Sequence, residues 1–341
     1  MKIKSLLLCL SIFIVFAFTG CNNVTALIGH HLKGYLSFTT TEYNNGINQD
    51  GGITTNFYCY DLETKKITKI KGIPYASGVY DRGENMLYFS AEVKDNKNGK
   101  GDQLFSYDLN TKKTKQLTND IYAVNYIIPM KDKIATFSVQ KGKQPMKVAY
   151  YDKKTGKFIY VNVKDDLNSE LMSYNPFTGK LLVTSYYQKQ MYDALDKANK
   201  EQKKIIMPDY YIYDYTDINK PKLLFTTKNM MINRIASNNQ GDILYTQAND
   251  FSEHQPEYFS YLYNPKTSKS KLVENIASQL QLSRFLFYSD NKNQVFFIGV
   301  GSTNDQTYPR GIYSYDFGTK ELKLIYTSKT GQIYDFTMLA S

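Results

Sequence analysis

Six stretches of the chain repeat one pattern: an alternating aromatic or aliphatic run, an Asp or Asn, a polar turn, and a Lys-studded return. They are "FYCYDLETKKITKI" (57–70), "FSYDLNTKKTKQL" (105–117), "AYYDKKTGKFIYV" (149–161), "YIYDYTDINKPKLL" (211–224), "FSYLYNPKTSKSKLV" (259–273) and "IYSYDFGTKELKLI" (312–325). Their markers Asp61, Asp108, Asp152, Asp214, Asn264 and Asp316 lie 47, 44, 62, 50 and 52 residues apart. Each copy reads as a hairpin in which the short acidic or amide side chain can accept hydrogen bonds from turn amides. A single hairpin cannot bury its apolar face, so repeats of this length must stack on one another, and a period near 50 made of short strands specifies propeller blades.

The spacing leaves room for two more strands per repeat. "SGVYDRGENMLYFSAEV" (77–93), "NYIIPMKDKIATFSVQ" (125–140), "MSYNPFTGKLLVTSYY" (172–187), "RIASNNQGDILYTQAN" (234–249) and "FLFYSDNKNQVFFIGV" (285–300) each read as strand, tight turn, strand. A blade is then an inner hairpin followed by an outer one, whose lysines suit an exposed edge strand. The first blade, opening with "GYLSFTTTEY" (34–43), lacks its innermost strand, whereas "QIYDFTML" (332–339) is left over after the sixth. The expected fold is therefore all-β: a six-bladed β-propeller over residues 34–341, closed by the C-terminal strand pairing into the N-terminal blade.

These elements resemble the TolB-like six-bladed β-propeller family. "YNPFTGKLLV" (174–183) and "DLNTKKTKQLT" (108–118) are similar to the family's blade elements, in which a Ser-Pro-Asp-Gly-Lys turn leads into an aliphatic strand and an Asp-ended aromatic strand precedes Thr-Gly. No copy carries an intact Ser-Pro-Asp-Gly, and residues 21–33 are too few for the family's helical N-terminal domain. The resemblance covers about 310 residues and implies a fold rather than an activity.

Ahead of the repeats stand Lys2 and Lys4, an apolar run of about 13 residues from Leu6 to Phe18, and Thr19-Gly20-Cys21. This is the three-part pattern of an export signal, and the run is shorter than the ~20 residues of a spanning helix. "FTGC" (18–21) resembles the lipobox of bacterial lipoproteins, with Phe18 where an aliphatic residue is usual. The resemblance implies a signal peptide over 1–20, lipidation of Cys21, a tether over 21–33, and anchoring by acyl chains on the extracytoplasmic side of a bacterial cell membrane. With Cys9 in the signal and Cys21 lipidated, Cys59 stands alone, so no intramolecular disulfide is expected and the core must hold the fold. The formal charge of +10 becomes +8 without Lys2 and Lys4. The lysines are scattered through turns such as Lys65-Lys66, Lys112-Lys113 and Lys153-Lys154, which suits a solvated surface near an anionic envelope and not nucleic acid.

In this topology the loops between second and third strands share one face with the connections joining blades. The long connections 41–56, 94–102, 188–209, 249–257 and 301–310 are all of that kind, which makes this face the place for a ligand or partner. The longest has a helix-like middle, Met191 to Lys204. Arg82, Arg234, Arg284 and Arg310 are the only arginines. Arg234 and Arg284 fall on innermost strands near the central channel, with Ser77 and Asn125 in matching places. Such a guanidinium fork suits a carboxylate, phosphate or sulfate, or else pairs with carboxylates inside the channel.

Catalytic patterns are thin. His30 and His31 lie in the tether and His254 in a loop, which supplies neither a metal site nor a Ser-His-Asp set. No Gly-x-Ser-x-Gly elbow occurs. "DNKNGKGD" (95–102) lacks the alternating carboxylates of a calcium loop. Tyr186, Tyr187, Tyr192, Tyr210 and Tyr211 cluster around the long insertion, but tyrosine also suits strands. No cofactor, metal or catalytic residue is assigned. The sequence supports a lipid-anchored, monomeric binding or scaffold module for a protein, peptide or envelope glycan. The alternative is a propeller hydrolase or lyase acting on an extracellular polymer or small ester.

Overall fold

The computed structural model describes residues 34–44, 52–93, 101–248, 258–289, 293–301, 308–329 and 331–340. The signal, tether and Cys21, the three histidines, most of "DNKNGKGD" and the interiors of several long connections lie outside the described residues. Six four-stranded antiparallel sheets form the blades of a six-bladed β-propeller. Blade one runs outward from β24 (Gln332–Ala340) through β1 (Gly34–Tyr43) and β2 (Ile53–Asp61) to β3 (Ile67–Pro74). Blade two is β4 (Ser77–Asp81), β5 (Met86–Glu92), β6 (Asp102–Asp108) and β7 (Thr114–Gln116). Blade three is β8 (Ile121–Pro129), β9 (Lys133–Gln140), β10 (Met146–Asp152) and β11 (Phe158–Tyr160). Blade four is β12 (Leu167–Asn175), β13 (Lys180–Tyr187), β14 (Tyr210–Asp214) and β15 (Lys222–Thr227). Blade five is β16 (Met231–Ser237), β17 (Ile243–Ala248), β18 (Tyr258–Asn264) and β19 (Lys269–Val273). Blade six is β20 (Leu280–Tyr288), β21 (Gln294–Gly301), β22 (Gly311–Asp316) and β23 (Leu322–Thr327).

The repeated marker does the same work in each outer hairpin. Asp61 Oδ1 accepts from the amides of Glu63 and Thr64 at 3.0 and 2.7 Å, and Asp108 from Asn110 and Thr111 at 2.7 and 3.1 Å. Asp152, Asn264 and Asp316 repeat the pair of contacts, and Asp214 accepts from Thr216. The residue that turns the chain back sits at positive φ: Lys65 (59°), Lys112 (61°), Gly156 (69°), Ser268 (53°) and Lys320 (61°). Four of these five positions hold side chains in a region that disfavours a Cβ.

Packing between blades follows from the alternation along each strand. One buried cluster joins Leu36, Phe38 and Tyr60 of blade one to Phe287, Phe296 and Ile312 of blade six, with Ile333, Phe336 and Met338 of the closing strand. Comparable clusters lie between blades three and four, four and five, and five and six, and one spans blades one to three. Every blade is thus covered on both faces, and the ring closes through the pairing of β1 with β24, Gly34 opposite Ala340 and Phe38 opposite Phe336. Many of the tyrosines serve this packing; Tyr35, Tyr210 and Tyr215 are fully buried.

The long insertion forms α1 (Gln188–Glu201), starting three residues before the helical run read from the sequence and ending three earlier. No side chain of its own caps its N-terminus. Asp166, from the connection between blades three and four, does so instead, with its carboxylate 3.1 Å from the Lys189 amide and its carbonyl accepting from Gln188. Met191 is buried, and Ala194, Leu195 and Ala198 pack on the cluster between blades four and five. Among the described residues, no helix is long and apolar enough to cross a membrane.

Candidate functional site

Five of the six innermost strands carry a register irregularity toward the long-connection face: β24, β8, β12, β16 and β20. An extra residue locally bends a strand and re-aims its side chains. Six polar residues lie on the innermost strands toward this face: Ser77, Asn125 and Arg234 stand opposite Ser90, Phe137 and Thr246 of the second strands, and Asp335, Glu170 and Arg284 fall within the irregularities themselves. Sequence reasoning found four of them. It missed Asp335 in "QIYDFTML" and Glu170 in "NSELMSYN", although an acid alone in a mostly apolar innermost strand was the available signal.

The structure does not gather the four sequence-selected residues into one site. Ser77 donates to Asp335 Oδ2 at 2.8 Å, and the Gly78 amide donates to the same oxygen at 2.8 Å. Thr39 Oγ1 lies 3.4 Å from Asp335 Oδ2 and accepts from the Asp335 amide at 2.9 Å. Burial holds the Asp335 carboxyl up, at about 6, against the lowering effect of these donors. Asn125 is exposed, with its amide 4.0 Å from Met146 Sδ. Arg284 Nη1 reaches 3.2 Å to Glu170 Oε1, joining blade six to blade four. Burial raises the Glu170 carboxyl, Arg284 opposes that, and the second oxygen, Oε2, is buried without a hydrogen-bond partner. The reading of an arginine paired inside the channel therefore describes Arg284.

Aromatic rings cross the channel at the level of Tyr126. Tyr126, at φ 53°, turns its ring inward between Phe137 at 5.1 Å and Phe285, on the far side of the ring, at 5.6 Å. What remains beside Ser77, Asp335 and these aromatics is a cavity of about 30 Å³, room for about one water.

Arg234 faces elsewhere. It is 5% exposed. Its Nε donates to the Ser283 carbonyl at 2.7 Å, its Nη2 donates to the Leu282 carbonyl, and the guanidinium lies 5.1 Å from the centre of the Tyr258 ring. It thereby ties β16 to β20 through backbone acceptors. Burial draws its guanidinium down to about 10, partly offset by Tyr258. It lines a cleft of about 420 Å³ between blades five and six, with Thr246, Tyr258, Ser260, Asn275, Ser278 and Gln281 among the walls. Thr246 and Ser260 share a hydrogen bond at 3.2 Å, and the Asn275 amide donates to the Tyr258 carbonyl at 2.9 Å. The cleft lies on the long-connection face. No sequence signal identified it, because its walls come from four strands and a blade connection brought together only by stacking.

No protein-family model and no curated protein matches this chain. Among solved structures it is similar to TolB from Acinetobacter baumannii, with TM-score 0.53 and 13% identity over 90% of this chain and 67% of that one. It is also similar to a puromycin-hydrolyzing peptidase of Mycobacterium tuberculosis, with TM-score 0.51 and 12% identity over 87% of this chain. The chain spans 46% of that peptidase. At these identities the likeness is one of fold.

Proposed function

We propose that this protein is an extracytoplasmic binding or scaffold module, held to the membrane by lipid on Cys21, that presents the long-connection face of its propeller to a protein, peptide or envelope glycan. The observation that carries the reading is the cleft between blades five and six, which opens on that face, whereas the central channel is crossed by the Tyr126 and Phe285 rings. A cleft lined by hydroxyls, amides and one buried guanidinium suits recognition of polar ligands. The acylation test is metabolic labelling with an alkyne fatty acid, expected to mark the wild-type chain and not Cys21→Ser. The binding test is retention of envelope components on the immobilised full chain. Loss of retention on adding charge at the exposed cleft rim (Ser278→Asp) supports the reading, and repeated failure to retain any component sinks it.

A second reading, a hydrolase or lyase for an extracellular polymer or small ester, draws on the raised carboxyls of Asp335 and Glu170, since an acid above its usual range can deliver a proton near neutrality. Turnover in a glycosidase, lyase and esterase screen that disappears in Asp335→Asn or Glu170→Gln would favour it over the binding reading.

A further inference from the structure

The cleft between blades five and six combines size, polarity and a charge that no carboxylate among the described residues meets. Its volume of about 420 Å³ falls within the roughly 300–1,000 Å³ of small-molecule sites. Among the described residues that line it, Arg234 is the one that carries a charge. Its contacts among the described residues are all formally neutral: the carbonyls of Leu282 and Ser283 and the ring of Tyr258. A buried guanidinium normally meets a carboxylate, because carbonyl dipoles alone compensate only part of a whole charge removed from water. Arg284 illustrates the ordinary solution with Glu170.

We infer that this cleft binds a small monoanionic carboxylate carrying neighbouring hydroxyl or amide groups, with its carboxylate directed to Arg234. The charge balance favours a monoanion, since among the described lining residues one guanidinium faces the cleft and the other side chains are neutral. A sulfate or phosphate dianion would bring a second charge into a half-enclosed site without a partner. Two of the guanidinium's donor groups are already engaged with carbonyls, so the anion meets what is left of the fork and draws its remaining hydrogen bonds from the walls. Thr246, Ser260 and Ser278 offer hydroxyls and Asn275 and Gln281 amides, while Ile276, Leu280 and Leu282 supply apolar surface. An acidic monosaccharide and the C-terminal end of a short peptide share this chemistry. The inference rests on the binding reading only in using the same face, and a small-molecule titration fails or succeeds independently of macromolecular retention.

The test is calorimetric titration of the full chain with sodium glucuronate, N-acetyl-alanyl-alanine and sodium sulfate, beside glucose and N-acetyl-alanyl-alanine amide as uncharged counterparts. The expected result is saturable one-to-one binding of at least one carboxylate, with the two carboxylates distinguishing a sugar from a peptide source. Arg234→Gln should weaken it about 10- to 100-fold, the range for loss of a charge-assisted hydrogen bond, and Ser278→Asp should weaken it by repelling the carboxylate. Ser278 is exposed at the rim, so Ser278→Asp folds even where Arg234→Gln loosens the tie between β16 and β20. Absence of binding, equal binding of the uncharged counterparts, preference for sulfate, or affinity untouched by both substitutions would each overturn the inference. So would binding that appears only after Asp250→Asn, Glu253→Gln and Glu257→Gln together, which would assign Arg234 to a carboxylate of the 249–257 connection.

Discussion

The Asp335 carboxylate accepts hydrogen bonds from Ser77 and from the Gly78 amide, each at 2.8 Å, across the seam between blades one and two. The C-terminal strand therefore completes its own blade and also fastens the next. Gly78 is required there, because a Cβ would stand 2.1 Å from the Tyr88 carbonyl oxygen. Gly78→Ala should displace the β4–β5 pairing and lower the urea midpoint more than a surface substitution does.

Asp335 makes stability depend on pH in a definite direction. Its folded carboxyl is held at about 6, above its ordinary value of 3.8, so between these limits the native state binds more protons than the unfolded chain. The stabilisation this contributes is complete below about pH 4 and is lost as pH rises through about 6. Asp335→Asn keeps an acceptor for Ser77 and Gly78 without the ionisation. Relative to wild type it should gain up to roughly 3 kcal/mol between pH 4 and 7, read as the difference in urea unfolding free energies. A constant difference across that range would refute the assignment.

Ring closure should be costly to weaken. Phe336 is 2% exposed and meets Phe287 of blade six edge-on at 5.3 Å. Phe336→Ala should cost about 3–5 kcal/mol, and hydrogen exchange should rise first in β24 and β1. Unchanged exchange there would mean that closure is not the weak seam.

Arg284 and Glu170 should behave as a coupled pair. Arg284 is 49% exposed, so Arg284→Met is expected to cost about 1–2 kcal/mol, less than a fully buried pair. Burial already raises the Glu170 carboxyl and Arg284 opposes it. Removing the cation raises it further, so the deficit should grow as pH rises and Glu170 ionises. Adding Glu170→Gln should abolish that growth, which a double-mutant cycle at pH 4 and 7 measures.

The left-handed turn residues offer stabilising changes. Lys65, Lys112 and Lys320 hold φ near 60° where Gly156 stands in blade three. Each Lys→Gly change relieves about 1–2 kcal/mol of steric cost, part of which returns as greater freedom of the unfolded chain. A net rise in thermal midpoint is expected for Lys112→Gly, and a fall would count against the turn geometry.

The sequence alone determined the blade count, the strand order and the closure by the leftover strand. These follow from period-two alternation and local turn chemistry: Asp108 cannot serve its turn, nor Phe105 and Tyr107 their faces, in any other register. The outer Asx turns were legible for the same reason, since all their partners lie within three residues. Tertiary structure alone decided the fate of the innermost polar residues. Arg234 and Arg284 look equivalent in sequence, yet Arg284 meets Glu170 two blades away and Arg234, among the described residues, meets carbonyls and an aromatic ring, because small register shifts in neighbouring strands re-aim side chains by amounts no local pattern encodes. The crossing of the channel by Tyr126 and Phe285, and the cleft that stays open between blades five and six, likewise arise from contacts between segments about 50 to 160 residues apart, where the physics is packing and charge balance rather than periodicity.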